Sequence, residues 1–355
     1  MQPAHYFLPF HELHNTPAIV VDGAHKQGLV LSHWRGQNTI PFCAGDTSAD
    51  VVFNALQANI SGLETEAVTA THFDVDGFVG VWALFNREQA MQYEDVLRAA
   101  AQIGDFREFD VHSETDHTAL KLVCWINEEE RNRFYPPYGE EDEIRQCVEK
   151  FEWFLPAMGD VLERMDDYAD VWKNEYERVV HDCGVLEGKE SEILRHEHIG
   201  LTIIHTPEPL HYYALFGKSA GTDIVLTVYY NHRYELEYKY TTWVDITSRG
   251  VLPRINMQPL CNLLNAMETS SSFWFADAVT DTGPVMRLGN PALTKAQLFD
   301  NPCNRDILFS SIPEEILIRC VTDFFHRSYS GISPRQNWSW EEIRALNRQF
   351  NIQLS

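Results

Sequence analysis

The chain has no Cys-x-x-Cys pair, no basic start leading into an apolar stretch, and far fewer positive than negative charges. It also lacks any run near the ~18 consecutive apolar residues that would span a membrane. Each absence excludes something. Lys and Arg number 28 against 52 Asp and Glu, a formal net charge of -24. Such a chain repels phosphate backbones at long range, so no extended nucleic-acid surface is expected. Cations are the favoured partners, and a bound divalent ion would still let a small phosphorylated substrate approach. The seven cysteines are odd in number and widely spaced, which fits free thiols in a reducing compartment rather than a disulfide framework or a thiolate metal site. With no leader and no membrane span, a cytoplasmic protein is expected. No internal repeat or low-complexity segment is visible.

What is present is enough apolar material for a real core: 44% hydrophobic and 12% aromatic residues in 355. That length suits two domains, read here as 1–190 and 191–355, with the break in the polar stretch around 185–199. The first has the pattern of an α/β domain, a mostly parallel sheet with flanking helices. Short apolar runs at 18–21, 28–31 and 67–71 alternate with helical patterns: one ending near Ile60, an apolar one at 78–85, and one at 88–103 closed by Gly104 as a C-cap. Residues 118–126 read as a strand or a short helix, Pro136-Pro137 as a break, and 140–180 as acidic helix kinked or split by Pro156. The second domain reads as α+β with antiparallel strands: 200–204, 223–229, a turn at Asn231-His232, and a half-buried strand at 234–241 with period-two alternation. A helix at 258–268 and strands at 273–278 and 285–288 follow. Ser339 with Glu342 forms a capping box that opens a last helix.

Chemistry concentrates in Thr71-His72-Phe73-Asp74-Val75-Asp76-Gly77. If the preceding strand runs to residue 76, His72, Asp74 and Asp76 share one face. Two carboxylates that close repel each other unless a proton or cation lies between them. Oxygen ligands with an imidazole suit Mn²⁺ or Mg²⁺. Gly77 lets the chain turn tightly into a helix whose N-terminus favours anions. The structural alternative is a turn in which Asp76 caps the following helix.

The segment from Val68 to Leu84 resembles the first motif of the DHH phosphoesterase superfamily: a strand, a loop rich in His and Asp ending in Gly, then an apolar helix. The matching positions are His72, Asp74, Asp76 and Gly77. Ala99-Ala-Ala-Gln-Ile-Gly-Asp105 is similar to a later motif of that family, which would add Asp105 as a ligand. The resemblance implies a two-metal hydrolase of a phosphoester or phosphoanhydride, with a metal-activated water as nucleophile. The sequence departs from the pattern in lacking the Asp-His-His triplet, of which Asp116-His117 and His181-Asp182 are partial echoes. It also lacks the glycine-rich C-terminal signature. Over its whole length the chain resembles an uncharacterised bacterial family through His72–Gly77, Gly104-Asp105-Phe106, Tyr240–Val244 and Pro253-Arg254.

Other candidates carry weaker chemistry. Gly217-Lys-Ser-Ala-Gly221 matches the spacing of a nucleophile elbow around Ser219, but a strand rather than a helix follows it. His196-Glu-His198 and His11-Glu-Leu-His14 have metal-like spacing and no further zinc-protease signature. His33, His205 and His211 stand where loops could bring them to a site. Arg249 and Arg254 could bind substrate by clamping a phosphate, although salt bridges are the ordinary role of arginine in so acidic a chain. The expectation is a divergent Mn²⁺- or Mg²⁺-dependent phosphoesterase: catalytic His72, Asp74 and Asp76, metal ligands extended by Asp105, substrate contacts at Arg254 and Arg249. The alternative is a non-catalytic binding protein on a degenerate phosphoesterase scaffold. A third possibility is a hydrolase of another class using the same loop.

Overall fold

A computed structural model describes residues 5–37, 40–134, 143–290, 293–294, 297–298 and 300–353. The chain divides into two compact units, Met1–Val179 and Val180–Ser355. The Pro136-Pro137 break lies outside the described residues.

The first unit holds a four-stranded, fully parallel sheet made of β1 (Tyr6–Phe7), β2 (Ile19–Val21), β3 (Leu29–Leu31) and β4 (Ala67–Ala70), in the order β1-β4-β2-β3. β2 and β4 are fully buried, which is why they read as unbroken apolar runs rather than alternating ones. Helices α1 (Ser48–Ala58) and α2 (Val75–Phe85) pack on the sheet and on each other. After the short α3 (Arg87–Gln92), α4 (Glu94–Phe106) packs against α2, and α5 (Glu114–Arg133) against α4. Residues 118–126 are therefore the middle of a helix. Burial is continuous over 122–126 and takes in Ala119 and Leu120 as well, so the apolar run carries no period that would separate a helix from a strand. Helix α6 (Glu143–Glu163) continues through Pro156 without splitting, and α7 (Ala169–Glu187) follows.

Gly104 is not a helix cap. α4 continues past it to Phe106, and Arg107, at φ 56°, takes the left-handed capping position. Gly104 instead lets α4 approach the start of α2: a Cβ there would lie 2.4 Å from Cβ of Val75. Gly104→Ala should overpack this contact and cost ~1–3 kcal/mol. A urea midpoint unchanged from wild type would show that the helices can separate freely.

The second unit is built on a six-stranded mixed sheet, ordered β5-β6-β7-β8-β10-β9. The strands are β5 (Glu192–His196), β6 (Leu201–Thr206), β7 (Ile224–Tyr229), β8 (Arg233–Tyr238), β9 (Phe273–Ala276) and β10 (Val285–Gly289). Only β6 and β7 pair in parallel; the rest are antiparallel. Asn231 and His232 both have positive φ, 64° and 58°, as a tight hairpin between β7 and β8 demands. β8 is not half-buried. Its apolar face, Tyr234, Leu236 and Tyr238, enters the core, while Glu235 on the other face is buried by pairing with Arg305 at 2.6 Å. That core is completed by α9 (Gln258–Asn265) and α10 (Glu314–Ser328). The capping box opens α11 (Trp340–Gln353): Glu342 N–H donates to Ser339 Oγ and Ser339 N–H to Glu342 Oε2. The seven cysteines carry free thiols. Among the described residues no helix is long and apolar enough to cross a membrane.

Candidate metal centre

Three parallel strands end side by side in the first unit, and each delivers a ligand-type residue just beyond its carboxyl end. Asp22 follows β2, His33 follows β3, and His72 and Asp74 follow β4. Ligands of open α/β sheets bind at this edge. The sequence predicted a strand reaching residue 76 with His72, Asp74 and Asp76 on one face, and that is not the arrangement. β4 stops at Ala70, Asp74 is the N-cap of α2 and accepts from Gly77 N–H at 2.8 Å, and Asp76 lies inside the first turn.

Asp76 does cap a helix, but not its own. Its two oxygens accept the backbone N–H groups of Ser48 and Ala49, each at 2.7 Å, at the start of α1. It is fully buried. α1 also carries its own capping box, Thr47 with Asp50.

The residues converge as two groups that share Asp22: Asp22, His72 and Asp74, and Asp22, His33 and Asp76. Within each, one ligand atom per residue lies within 4.8 Å of the others. The Asp22 carboxylate turns one oxygen to each. Oδ2 is 3.4 Å from His72 Nε2, and Oδ1 is 3.5 Å from His33 Nε2 while accepting from Ser48 Oγ at 2.7 Å. His72 Nε2 is 2.8 Å from Asp74 Oδ2. His33 Nε2 is 3.6 Å from Asp76 Oδ2 and 3.2 Å from Asp105 Oδ2. Asp105, carried by α4, thus joins the His33 group. Its Oδ2 is buried without a hydrogen bond among the described residues.

Both imidazoles are held by their other nitrogen. His33 Nδ1 lies 2.6 Å from the Asp46 carbonyl oxygen, which can only accept, so Nδ1 carries a proton. Thr71 Oγ1 donates to the Asp22 carbonyl at 2.8 Å and therefore accepts from His72 Nδ1 at 3.0 Å. In each ring Nε2 faces the carboxylates. Metal-binding histidines are oriented in this way, with the remote N–H fixed by an oxygen.

The two groups differ in access. The side chains of His72 and Asp74 are 44% and 33% exposed, those of His33 and Asp76 not at all. A ligand from solvent would meet His72 and Asp74 first.

Electrostatics expose an imbalance. Four carboxylates face two imidazoles. The Asp74 charge, opposed in part by burial, and then Asp22 and Asp76 raise His72 to about 10. Burial alone would lower His33, but the facing carboxylates of Asp22 and Asp76 raise it to about 9. Burial and neighbouring carboxylates push Asp76 up to about 8 and Asp105 well above its usual range. Burial opposes ionisation of Asp22, but the two histidines and Ser48 hold its carboxyl below the usual value. Carboxylates this close repel one another unless a proton or a cation lies between them. The oxygen-and-imidazole donor set, with the buried Asp105 Oδ2 beside it, could hold a metal ion.

The chain belongs to a family of unknown function, DUF6687. The family model matches residues 3–336, a span that includes every residue of this centre and most of the second unit. No curated protein and no solved structure matches the chain.

In this family member the other sequence candidates have structural work of their own. Asp116 caps α5 with Ser113 (Asp116 N–H to Ser113 Oγ 3.2 Å), and His117 sits between Tyr176 Oη (2.9 Å) and the Val111 carbonyl (2.8 Å). Asp182 accepts from His211 N–H at 2.7 Å. Ser219 is buried at the end of α8 (Tyr212–Lys218), its hydroxyl donating to the Phe216 carbonyl. A helix precedes it and β7 follows, the reverse of an elbow. Arg249 and Arg254 belong to the second unit. Arg249 pairs with Asp223 at 2.7 Å, and the buried Arg254 gathers Thr242 Oγ1 and the carbonyls of Val279, Asp281 and Thr282. His205 pairs with Glu314 at 3.0 Å and His11 with Glu12 at 3.7 Å.

Sequence reasoning missed Asp22 as a candidate ligand and placed His33 only among residues that loops could bring to a site. The usable signal was positional: each is a polar residue within two positions of the end of a short apolar strand.

Proposed function

We propose that this protein is a metal-dependent hydrolase of a small phosphoester or phosphoanhydride, with a DHH-like pair of divalent cations held by the two residue groups that share Asp22. The observation that carries the reading is that one carboxylate, Asp22, presents an oxygen to each of two His/Asp groups at the carboxyl edge of a parallel sheet. His72, Asp74 and Asp22 would hold the ion nearer solvent; Asp22, His33 and Asp76, joined by Asp105, the deeper one. When bound, Mn²⁺ or Mg²⁺ supplies Lewis-acid polarisation of a phosphoryl oxygen and activation of a water nucleophile.

The chain's own residues do the rest. Asp46 and Thr71 fix the two imidazoles with Nε2 inward, which preorganises the donors. Ser48 and Ala49 lock the Asp76 carboxylate in place. Asp74, with one oxygen held by Gly77 N–H, keeps Oδ2 on the solvent side. A small anionic substrate would enter over His72 and Asp74, the exposed pair, and its phosphate would meet the cations before the carboxylates behind them. Arg249 and Arg254, with carboxylate and carbonyl partners of their own, have no part in this reading.

The test is Mn²⁺ titration of chelator-treated protein beside a panel of pyrophosphate, short oligonucleotides and bis(p-nitrophenyl) phosphate. The expected outcome is two equivalents bound and Mn²⁺-dependent release of phosphate or nitrophenol. Tight binding with every phosphoester inert would move the reading to the non-catalytic alternative. Hydrolysis confined to carboxylic esters or amides would move it to another hydrolase class.

A further inference from the structure

Three histidines outside the first unit's centre come together on the surface of the second. His196 ends β5, His198 lies in the single turn that links β5 to β6, and His326 stands in the last turn of α10. We propose that His198 and His326, with His196 beside them, form a second metal site, selective for an imidazole-preferring transition ion such as Zn²⁺.

Geometry carries the proposal. His198 Nε2 lies 3.3 Å from each ring nitrogen of His326, and the ring centroids are 4.6 Å apart at an interplanar angle of 34°. Two nitrogens bound at about 2.0–2.1 Å to one tetrahedral zinc are themselves about 3.3–3.4 Å apart. The pair therefore already has the separation that a shared ion would impose. Without an ion, one of the two facing nitrogens carries the proton of an imidazole–imidazole hydrogen bond. His198 Nε2 is equidistant from the two ring nitrogens of His326, so a rotation of the His326 ring, with the proton moved to the outer nitrogen, would turn one lone pair of each ring to the gap with no change in net charge.

His196 supplies a third imidazole within reach. Its ring centroid is 6.3 Å from that of His198. Rotation of this partly exposed side chain would complete three nitrogen ligands and leave a position for water. The C-terminal end of α10 also carries the negative end of the helix dipole, which favours a cation beside His326.

The ligand chemistry differs from that of the first unit. There, carboxylates outnumber imidazoles and suit Mn²⁺ or Mg²⁺; here every donor is nitrogen, which suits Zn²⁺, Ni²⁺ or Cu²⁺. An ion here would tie the β5–β6 turn to α10, two segments 128 positions apart in the chain.

The experiment is Zn²⁺ titration of the full chain, followed by imidazole ¹H–¹⁵N resonances and by competition with a chelator of known affinity. Wild type is compared with His198→Ala, His326→Ala, His196→Ala and Asp22→Asn. The expected result is a saturable shift of the His198 and His326 resonances. That event should weaken at least ~10-fold in either single variant, less in His196→Ala, and not at all in Asp22→Asn. His198 and His326 are exposed, so their variants should keep the fold, checked by circular dichroism. Unshifted His198 and His326 resonances at saturating Zn²⁺, or unchanged affinity in both single variants, would overturn the proposal. Neither result bears on the centre at Asp22.

Discussion

Asp22→Asn should remove both metal-binding events of the first unit at once, weakening Mn²⁺ binding by at least ~100-fold, because changes one shell further out already cost ~10–100-fold. Asp22 is the one residue common to both groups, and each of its oxygens serves one of them. Asparagine is the informative replacement for two reasons. Asp22 sits at φ 46°, a left-handed conformation that asparagine tolerates and most residues do not. The amide oxygen can also still accept from Ser48 Oγ, so the end of β2 stays tied to α1. The variant should therefore fold, with an unfolding midpoint near wild type, and lose the ions. Asp76→Asn would be harder to interpret. Both Asp76 oxygens cap α1, and an amide nitrogen facing one of those N–H groups would leave it buried and unsatisfied, at a cost of ~1–3 kcal/mol. If Asp22→Asn retains two Mn²⁺ equivalents at wild-type affinity, Asp22 is not a shared ligand and the two-cation reading fails.

The second large effect is on pH dependence. His72 and His33 are raised to about 10 and about 9 in the folded protein, so they stabilise the fold fully below about 6.5 and lose that contribution as pH rises through 9 to 10. Asp76, raised to about 8, works in the same direction: its protonated form is favoured in the fold, and that contribution fades between about pH 4 and 8. Asp22 is lowered and runs the opposite way, its contribution present above about pH 4 and lost in acid. The metal-free protein should therefore be most stable in mild acid. Its Tm should fall by on the order of 5 °C between pH 6 and 9, the effect of a few kcal/mol on a domain of this size. A divalent ion reverses the trend because it replaces the protons. Each proton displaced makes the apparent affinity rise ~10-fold per pH unit, so Mn²⁺ should bind at least ~100-fold more tightly at pH 8 than at pH 6. Thermal scans at pH 6, 7.5 and 9, with chelator and with Mn²⁺, separate these terms. A metal-free Tm that rises toward pH 9, or an Mn²⁺ affinity flat across this range, would show that these groups do not share a cation site.

How much of the site is legible depends on the distance over which its residues interact. His72, Asp74, Asp76 and Gly77 stand within six positions, and the strand, polar loop and apolar helix around them are written in local composition. Asp105 was reachable only through a short resemblance, and its setting was misread. Gly104 looks like a helix end because glycine usually is one, yet here it marks the close crossing of α4 over Val75. A crossing between residues 29 positions apart leaves no local trace. The same limit hid Asp22. Nothing in Ile19-Val20-Val21-Asp22 says that β2 will lie between β3 and β4, and only that order sets Asp22 between His33 and His72.

By itself, then, the sequence determined the classes: an acidic chain with free thiols, a buried parallel sheet in the first half and antiparallel pairing in the second, and a loop of oxygen and imidazole donors at a strand end. Composition and periodicity encode these because burial and backbone geometry act on neighbouring residues. The tertiary structure decided which donors meet. Parallel strands joined by helices bring the ends of segments far apart in the chain to one edge, and the partner of each ligand is then set by strand order and helix crossing. That is why the residue shared by both groups, Asp22, lies 50 positions before the motif that announces the site.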